Sequence, residues 1–396
     1  MRIGIDFIDL FPKTNQGINV YSENLIEGFL KLSEKFTLQL YVNDSYYKYA
    51  KKKFKSKKID IFVYKHKNKK IKNLILKSIV FFNSLTSIKF NKLYYIFKNL
   101  FFNDLKILIE NNSDILICPN VILNHYNYNI KTILCIHDIQ HEYLKENFSK
   151  NQLSERKITR GLSVDKCDKL IASSKYLKKQ CFKYLKKNLS DINVIEEGIN
   201  LGLFKRKQYK NKLIKKYYLP EKYLFYPAAF WPHKNHLFLL NAIKGFSKHK
   251  INLILCGLKK NFYQEVSDFI LKNNLKNVKY IGDLSKNELI KVYKYSTVVI
   301  IPSLEESSCL LLKEGIGFKK PLICSDTETF KEKNKIFKIN LYKKKNLNDL
   351  RNKIRNIYIN KKIVQKDLNK NYKLLKNYDW KSVAKNYFNL CYKLNI

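Results

Sequence analysis

Acidic residues are scarce in this chain. Only 33 Asp and Glu stand against 77 Lys and Arg, giving a formal charge of +44 at pH 7. Such a field favours anionic partners: nucleic acid, an anionic membrane surface or a phosphate-bearing substrate. The lysines are spread over most of the chain, so part of the excess is compositional background. Paired cysteines are missing as well. None of the eight cysteines forms a CxxC pair, and several sit in apolar runs such as TILCI, LILCG and LICSD. That excludes a disulfide framework or a zinc site and fits a reducing cytosol. No uninterrupted apolar stretch reaches about 18 residues, so a spanning helix is not expected. The opening MRIGIDFIDLF carries Asp6 and Asp9 and leads to no small-residue cleavage site, so it reads as a poor secretory signal. A cytoplasmic protein is expected, and any membrane would be met at its surface. The GxGxxG fingerprint of dinucleotide binding is absent too.

Apolar material is plentiful. Hydrophobic residues make up 45%, with 25 Phe and 28 Tyr, so disorder is not the default reading. At 396 residues, two or three domains are expected. Short apolar runs alternate with helical patterns. Strands are predicted at 2–6, 36–42, 59–63, 115–118, 132–137, 169–172 and 193–195, with helices at 19–32 and 174–185. The series then restarts, with strands at 223–226, 252–256, 278–281, 298–301 and 322–324. Helices at 236–246, 262–271, 286–293 and 310–318 lie between them, and two or three more follow residue 347. This alternation predicts an α/β protein with two doubly wound, Rossmann-like domains. The basic segment 201–220 lies between the two series, and the boundary is placed near residue 205. Ligands in such sheets bind outside the carboxyl ends of the strands, so a shared cleft is expected.

Residues 64–105 fit this scheme less well. Lysines at 65, 67, 69, 70, 72 and 77 are followed by Phe81, Phe82, Tyr94, Tyr95, Phe97, Phe101 and Phe102. The pattern suits an amphipathic helix on an anionic membrane. It suits equally an ordinary helix with one core-facing stripe.

Four constellations carry candidate chemistry. After the strand at 298–301 comes Pro302-Ser303-Leu304-Glu305-Glu306-Ser307-Ser308-Cys309, and then an apolar helix holding Glu314. A loop ahead of a helix offers backbone N–H groups to an anion. A carboxylate can accept two hydrogen bonds from a vicinal diol. Helix capping by Glu306 and a surface Glu314 are the plain alternative. The second is Trp231-Pro232-His233-Lys234-Asn235-His236, where Lys234 can act as a point charge on a diphosphate. Lysine is so common here that Lys234 alone says little. The third is His137-Asp138 at the end of a strand, which a satisfied core histidine would also explain. The fourth is Gln16-Gly17-Ile18-Asn19, where Gly17 permits close approach by a ligand.

In this order, the four resemble glycosyltransferase family 4 among the group 1 glycosyl transferases. These are retaining enzymes with the GT-B architecture and a Glu-x7-Glu motif. Glu306 and Glu314 have that spacing behind Pro302-Ser303. HDIQHEYLKENFS (137–149), VIEEGIN (194–200) and WPHKNH (231–236) are similar to other family segments, and Trp380 to the opening of its last helix. The resemblance implies an N-terminal acceptor domain, 1–205, onto which a helix near 380–396 packs back, and a donor domain, 206–379. It implies transfer of a hexose from a GDP- or UDP-sugar to a glycan or lipid-linked acceptor, in cell-surface polysaccharide or lipopolysaccharide biosynthesis. His137, Glu306 and Lys234 are the expected catalytic residues. Gly17, Asp138, Lys234, Gly282, Ser307, Ser308, Cys309, Leu310 and Glu314 are the expected donor contacts. No metal or cofactor and no nucleic acid are implied, and a peripheral contact with the inner membrane face is.

The chain departs from the family in three places. Ser307-Ser308-Cys309 replaces a glycine-rich stretch, Ala229 stands where a basic residue is common, and Gly17 replaces a double glycine. The +44 charge keeps a second reading open, a basic non-catalytic protein that binds nucleic acid or a membrane surface, though nucleic-acid reader modules are lacking. Phosphorolysis of a glucan on the same fold has no lysine-anchored cofactor motif to support it.

Overall fold

The apolar runs become the strands of two parallel sheets. The computed structural model describes residues 1–12, 17–86, 90–205, 216–246, 251–362 and 364–395, and the chain divides into two units. One comprises Met1–Gly198 with Trp380–Ile396, the other Ile199–Asp379.

The first unit holds β1 (Arg2–Phe7), β2 (Thr37–Asn43), β3 (Ile59–Tyr64), β4 (Ile115–Cys118), β5 (Lys131–Ile136), β6 (Lys169–Ala172) and β7 (Ile192–Val194), in the order β3-β2-β1-β4-β5-β6-β7. Every neighbouring pair is parallel; Ile3, for instance, lies opposite Ile115. β4 is buried throughout, as a parallel strand covered on both faces must be. Its helices are α1 (Gly17–Phe29), α2 (Asp44–Lys53), α3 (Lys69–Leu85), α4 (Asn91–Phe101), α5 (Asn103–Asn112), α6 (Lys150–Lys166) and α7 (Lys175–Leu185). Sequence reasoning missed α2 and α6, whose mostly polar composition hides the helical stripe. Their caps were the available signal. Asn43 accepts from the Tyr46 N–H, and Ser149 forms a reciprocal capping box with Gln152.

Most of residues 64–105 fall in α3 and α4, which have the core-facing stripe of ordinary helices. Each helix buries one apolar side, Leu76, Ile79 and Val80 on α3 and Tyr94 on α4, in a common core. Each also exposes apolar residues on its other side.

The last helix, Trp380–Leu394, packs on α1 within the first unit. Gly28 makes this possible: a Cβ there would stand 2.1 Å from the Trp380 carbonyl oxygen. The Trp380 ring meets Tyr21 edge-on at 5.3 Å, and the Tyr21 and Tyr387 hydroxyls share a 2.6 Å hydrogen bond.

The second unit holds β8 (Leu224–Pro227), β9 (Leu253–Cys256), β10 (Val278–Tyr280), β11 (Val298–Ile301), β12 (Leu322–Ser325) and β13 (Asn340–Tyr342), in the order β10-β9-β8-β11-β12-β13. The three-residue β13 was not foreseen. All pairs are again parallel. Helices Leu347–Ile354 and Gln365–Leu375 follow, joined through a π-helical turn at Arg355–Ile359. The middle of the basic segment 201–220, residues 206–215, lies outside the described residues, as does Gln16. All eight cysteines are free and buried, as small hydrophobes.

Strand order reverses once in each sheet, between β1 and β4 and between β8 and β11. At such a point the two neighbouring strands send their connections to opposite faces, leaving a crevice at their carboxyl ends.

Candidate functional site

In the second unit, the connections after β8 and β11 leave from the point of reversal, and they carry the WPHKNH and PSLEESSC segments. The pair is stitched together by backbone and side chain. The Leu304 N–H donates to the His233 carbonyl at 2.8 Å, and Asn235 Nδ2 donates to the Pro302 carbonyl at 3.1 Å. Tyr226, on β8, donates to the Lys234 carbonyl at 2.9 Å. Asn235 adopts the left-handed conformation, φ 60°, which turns the chain from the Pro232–Lys234 turn into the helix His236–Lys244.

This framework brings Lys234 and Glu306 together. Lys234 Nζ lies 2.6 Å from Glu306 Oε1, and both side chains are largely buried. Burial pulls the Lys234 ammonium down; the Glu306 carboxylate and the nearby Cys309 outweigh it, so the net displacement is upward. The lysine is thus held charged away from bulk water. Thr329 Oγ1 donates to the Glu306 carbonyl, fixing the loop from the far side.

Ser307 is buried, Ser308 half-buried, and Cys309 forms the N-cap of the helix Leu310–Gly317 without a side-chain capping bond. The first-turn N–H groups of that helix face the loop that carries Glu306, Ser307 and Ser308. Glu314 sits on the same helix, half-buried. Burial pushes its carboxyl up to about 7, against the opposing influence of the Tyr293 hydroxyl and Lys286. The buried Tyr293 hydroxyl forms no well-shaped hydrogen bond of its own.

Gly282 lies at the same sheet edge. Its φ is +88°, and a Cβ there would meet open space. Its carbonyl accepts from the Gly257 N–H at 3.1 Å. Gly257 has φ +133° and packs so closely that a Cβ would stand 2.6 Å from the Ala228 carbonyl oxygen. Ala229 offers no charge. The neighbouring connection carries Lys259 and Lys260, over the rings of Tyr263 and Trp231 at 4.4 and 5.4 Å.

The first unit holds the other expected residues. His137 follows β5, and its Nε2 lies 2.9 Å from the Pro119 carbonyl oxygen. A carbonyl only accepts, so Nε2 carries the proton. Nδ1 lies 3.7 Å from Glu197 Oε1, and the ring meets Tyr21 edge-on at 4.8 Å. Asp138 is engaged by Arg160 at 3.2 Å and Arg156 at 3.4 Å, both from α6. Burial would raise its carboxyl, but the two guanidinium groups hold it low. Asp138 therefore ties the end of β5 to α6. Gly17 opens α1 and is exposed, with nothing near a Cβ built on it.

Sequence reasoning missed a polar cluster at the reversal point of the first sheet. The buried Asp6 accepts from the Ile8 N–H and from Asn124 Nδ2, each at 3.0 Å, and Lys98 Nζ donates to Asn124 Oδ1 at 3.2 Å. Burial, and then Asp9, push the Asp6 carboxyl up to about 6. A carboxylate at the end of an otherwise apolar first strand was the available signal. Among the described residues, no three His, Cys, Asp or Glu side chains gather where they could hold a metal ion.

Residues 208–374 match the model of the family "Glycosyl transferases group 1". The match takes in Lys234, Gly282, Glu306 and Glu314, and stops short of Gly17, His137 and Asp138. The O-antigen chain mannosyltransferase RfbU of Salmonella typhimurium is 25% identical over 232 residues, 58% of this chain and 61% of that protein. The uncharacterized glycosyltransferase MJ1178 of Methanocaldococcus jannaschii is 29% identical over 220 residues, 54% of this chain and 56% of that one. The chain thus spans about three fifths of the length of the curated relatives it matches. The structure of Anabaena Alr3699/HepE in complex with UDP and glucose superposes with a TM-score of 0.71, over 99% of this chain and 100% of that one, at 12% identity. That likeness shows a shared fold, the GT-B architecture of two doubly wound α/β domains.

Proposed function

We propose that this protein is a retaining glycosyltransferase that moves a hexosyl group from a GDP- or UDP-sugar to a glycan or lipid-linked acceptor in cell-surface polysaccharide biosynthesis. The observation that carries the reading is the Lys234–Glu306 pair at the reversal point of the second sheet, beside the start of the helix Leu310–Gly317. The group 1 match over the same residues and the O-antigen mannosyltransferase relative support it.

In this reading the donor diphosphate takes the place beside Lys234. Breaking the bond between the anomeric carbon and the diphosphate oxygen leaves the electron pair, and a growing negative charge, on the nucleotide. Lys234 and the first-turn N–H groups of Leu310–Gly317 stabilise that charge more than the ground state, which is what lowers the barrier. No metal or cofactor is needed for this step. Glu306 positions the ammonium and accepts from hydroxyls of the transferred sugar, beside Ser307 and Ser308. Ionised Glu314 accepts from the two ribose hydroxyls, and Gly282 leaves the sheet edge open to the nucleotide. The acceptor hydroxyl attacks the face that the nucleotide leaves and passes its proton to the departing diphosphate oxygen, so the anomeric configuration is retained.

The first unit is assigned to the acceptor. His137, with its Nε2 proton on the Pro119 carbonyl, contributes a ring whose orientation is fixed near the acceptor. Asp138 acts through α6 as a positioning residue.

The test is a thermal-shift and hydrolysis screen against UDP- and GDP-sugars, because a ligand that binds only the folded state raises its stability. Stabilisation by at least one nucleotide sugar, with slow release of nucleotide, is expected. No stabilisation and no release by any of them refutes the proposal.

A further inference from the structure

Helices α3 and α4 carry apolar surface that the fold does not use. They lie side by side: Lys72 on α3 donates to the Phe101 carbonyl at the end of α4 at 2.8 Å, and the Phe90 N–H donates to Asn83 Oδ1. Both bury one side in the same core, so their opposite sides point away from it. On α3 the outward side carries Ile71, Leu74, Phe81 and Leu85, at positions that recur along one helical stripe. On α4 it carries Leu93, Ile96 and Leu100. Leu74, Leu85 and Leu100 are each about two-thirds exposed, at 66%, 65% and 67%. A helix apolar on two sides normally has partners on both.

The charge around this stripe has one sign. No Asp or Glu occurs between Asp60 and Asp104, while the exposed Lys70 and Lys77 fall beside the apolar stripe of α3 and the exposed Lys67 and Lys69 stand at its start. A protein partner with an apolar patch alone would leave those lysines without counter-charge. An anionic bilayer satisfies both features: leucine and phenylalanine enter the acyl boundary while lysine stems let the ammonium groups reach the headgroups. Among the described residues no helix is long and apolar enough to cross a membrane, so the contact is a surface one.

We propose that the outward faces of α3 and α4 form a docking surface for an anionic lipid bilayer. It seats the first unit on the membrane. The proposal rests on these two helices and not on the donor chemistry, so either can fail alone.

The test is sedimentation of the full chain with phosphatidylcholine vesicles, with and without phosphatidylglycerol, in the absence of any nucleotide sugar. Binding is expected only to the anionic vesicles. Phe81→Glu should weaken it about tenfold or more. Lys70→Gln and Lys77→Gln should each weaken it about fivefold. Leu74→Ser with Leu100→Ser gives a second, uncharged probe of the apolar stripe. All of these positions are exposed, so unfolding midpoints and donor hydrolysis should stay at wild-type values. Equal binding to both vesicle types, or no loss in the variants, overturns the proposal. So does concentration-dependent dimerisation abolished by Phe81→Glu, which would make the occupant a second copy of this chain.

Discussion

Replacing Glu314 with glutamine should make the protein more stable and a poorer binder of donor at the same time. Burial holds the Glu314 carboxyl at about 7, against an ordinary value of 4.5. Its proton is therefore bound more tightly in the fold than in the unfolded chain. Below pH 4.5 both states are protonated and the group is neutral in its effect. As pH rises towards 7 the unfolded chain ionises freely while the fold resists, and stability is lost until both states are ionised. At about 1.4 kcal/mol for each pH unit between the two values, the full penalty approaches about 3 kcal/mol. Glu314 is only half-buried, and solvent screening trims the figure to about 2 kcal/mol.

Glu314→Gln removes that ionisation. At pH 8 its unfolding midpoint should exceed the wild type by roughly 4–8 °C, the expected response to about 2 kcal/mol in a domain of this size. At pH 4 the two should coincide. Donor affinity at pH 8 should fall about tenfold, because an amide presents one acceptor where a carboxylate presents two, and a charged hydrogen bond is lost. Wild-type affinity should itself rise as pH passes through 7. Calorimetric unfolding and titration of nucleotide sugar at both pH values measure these effects. A midpoint gain that is the same at pH 4 and pH 8, or absent at both, refutes the burial argument. Unchanged affinity refutes the ribose assignment.

Lys234→Ala leaves a buried carboxylate without its cation, which should cost about 3 kcal/mol of stability and at least about a hundredfold in turnover. In Lys234→Ala with Glu306→Gln most of the stability should return while turnover stays low; unfolding and kinetics of all three variants decide this, and additive stability losses would count against a coupled pair. Gly28→Ala pushes a methyl into the Trp380 carbonyl and should lower the unfolding midpoint by several degrees without altering donor affinity, a prediction sunk by a wild-type midpoint. Asp138 is held low by its arginines, so its contribution is present above about pH 4 and fades as pH falls through its folded value. The gap in midpoint between wild type and Asp138→Asn should therefore close in acid, and a gap that persists at pH 2 contradicts the ion-pair reading.

What the sequence reveals depends on which side of the chain's chemistry is being asked about. The runs ILIC and VVII read as buried parallel strands because they are wholly apolar, short and rich in β-branched residues. Most strands were legible for this reason, and the helices between them followed from their apolar stripes. Helices α2 and α6 were not, since what DSYYKYAKKK and KNQLSERKITRGLSVDK bury is largely polar or small, and no apolar stripe marks them. Glu306 and Glu314 could be singled out because acids are rare here, so each one carries information. Lysine carries almost none among 77 basic residues, and Lys234 stood out only through its neighbours in WPHKNH. That it meets Glu306, 72 positions away, follows from the strand order and from the bond between Leu304 and His233. Strand order is a property of pairing, which local pattern does not encode. The same limit applied to Asp6. An acid in the first strand reads as the strand's end, and only the return of the chain through α4 and the segment after β4 brings Lys98 and Asn124 to it. The positions where local reasoning stopped are the two reversal points. There, residues from distant segments meet because the sheet brings them together, and their chemistry can be read only from the assembled fold.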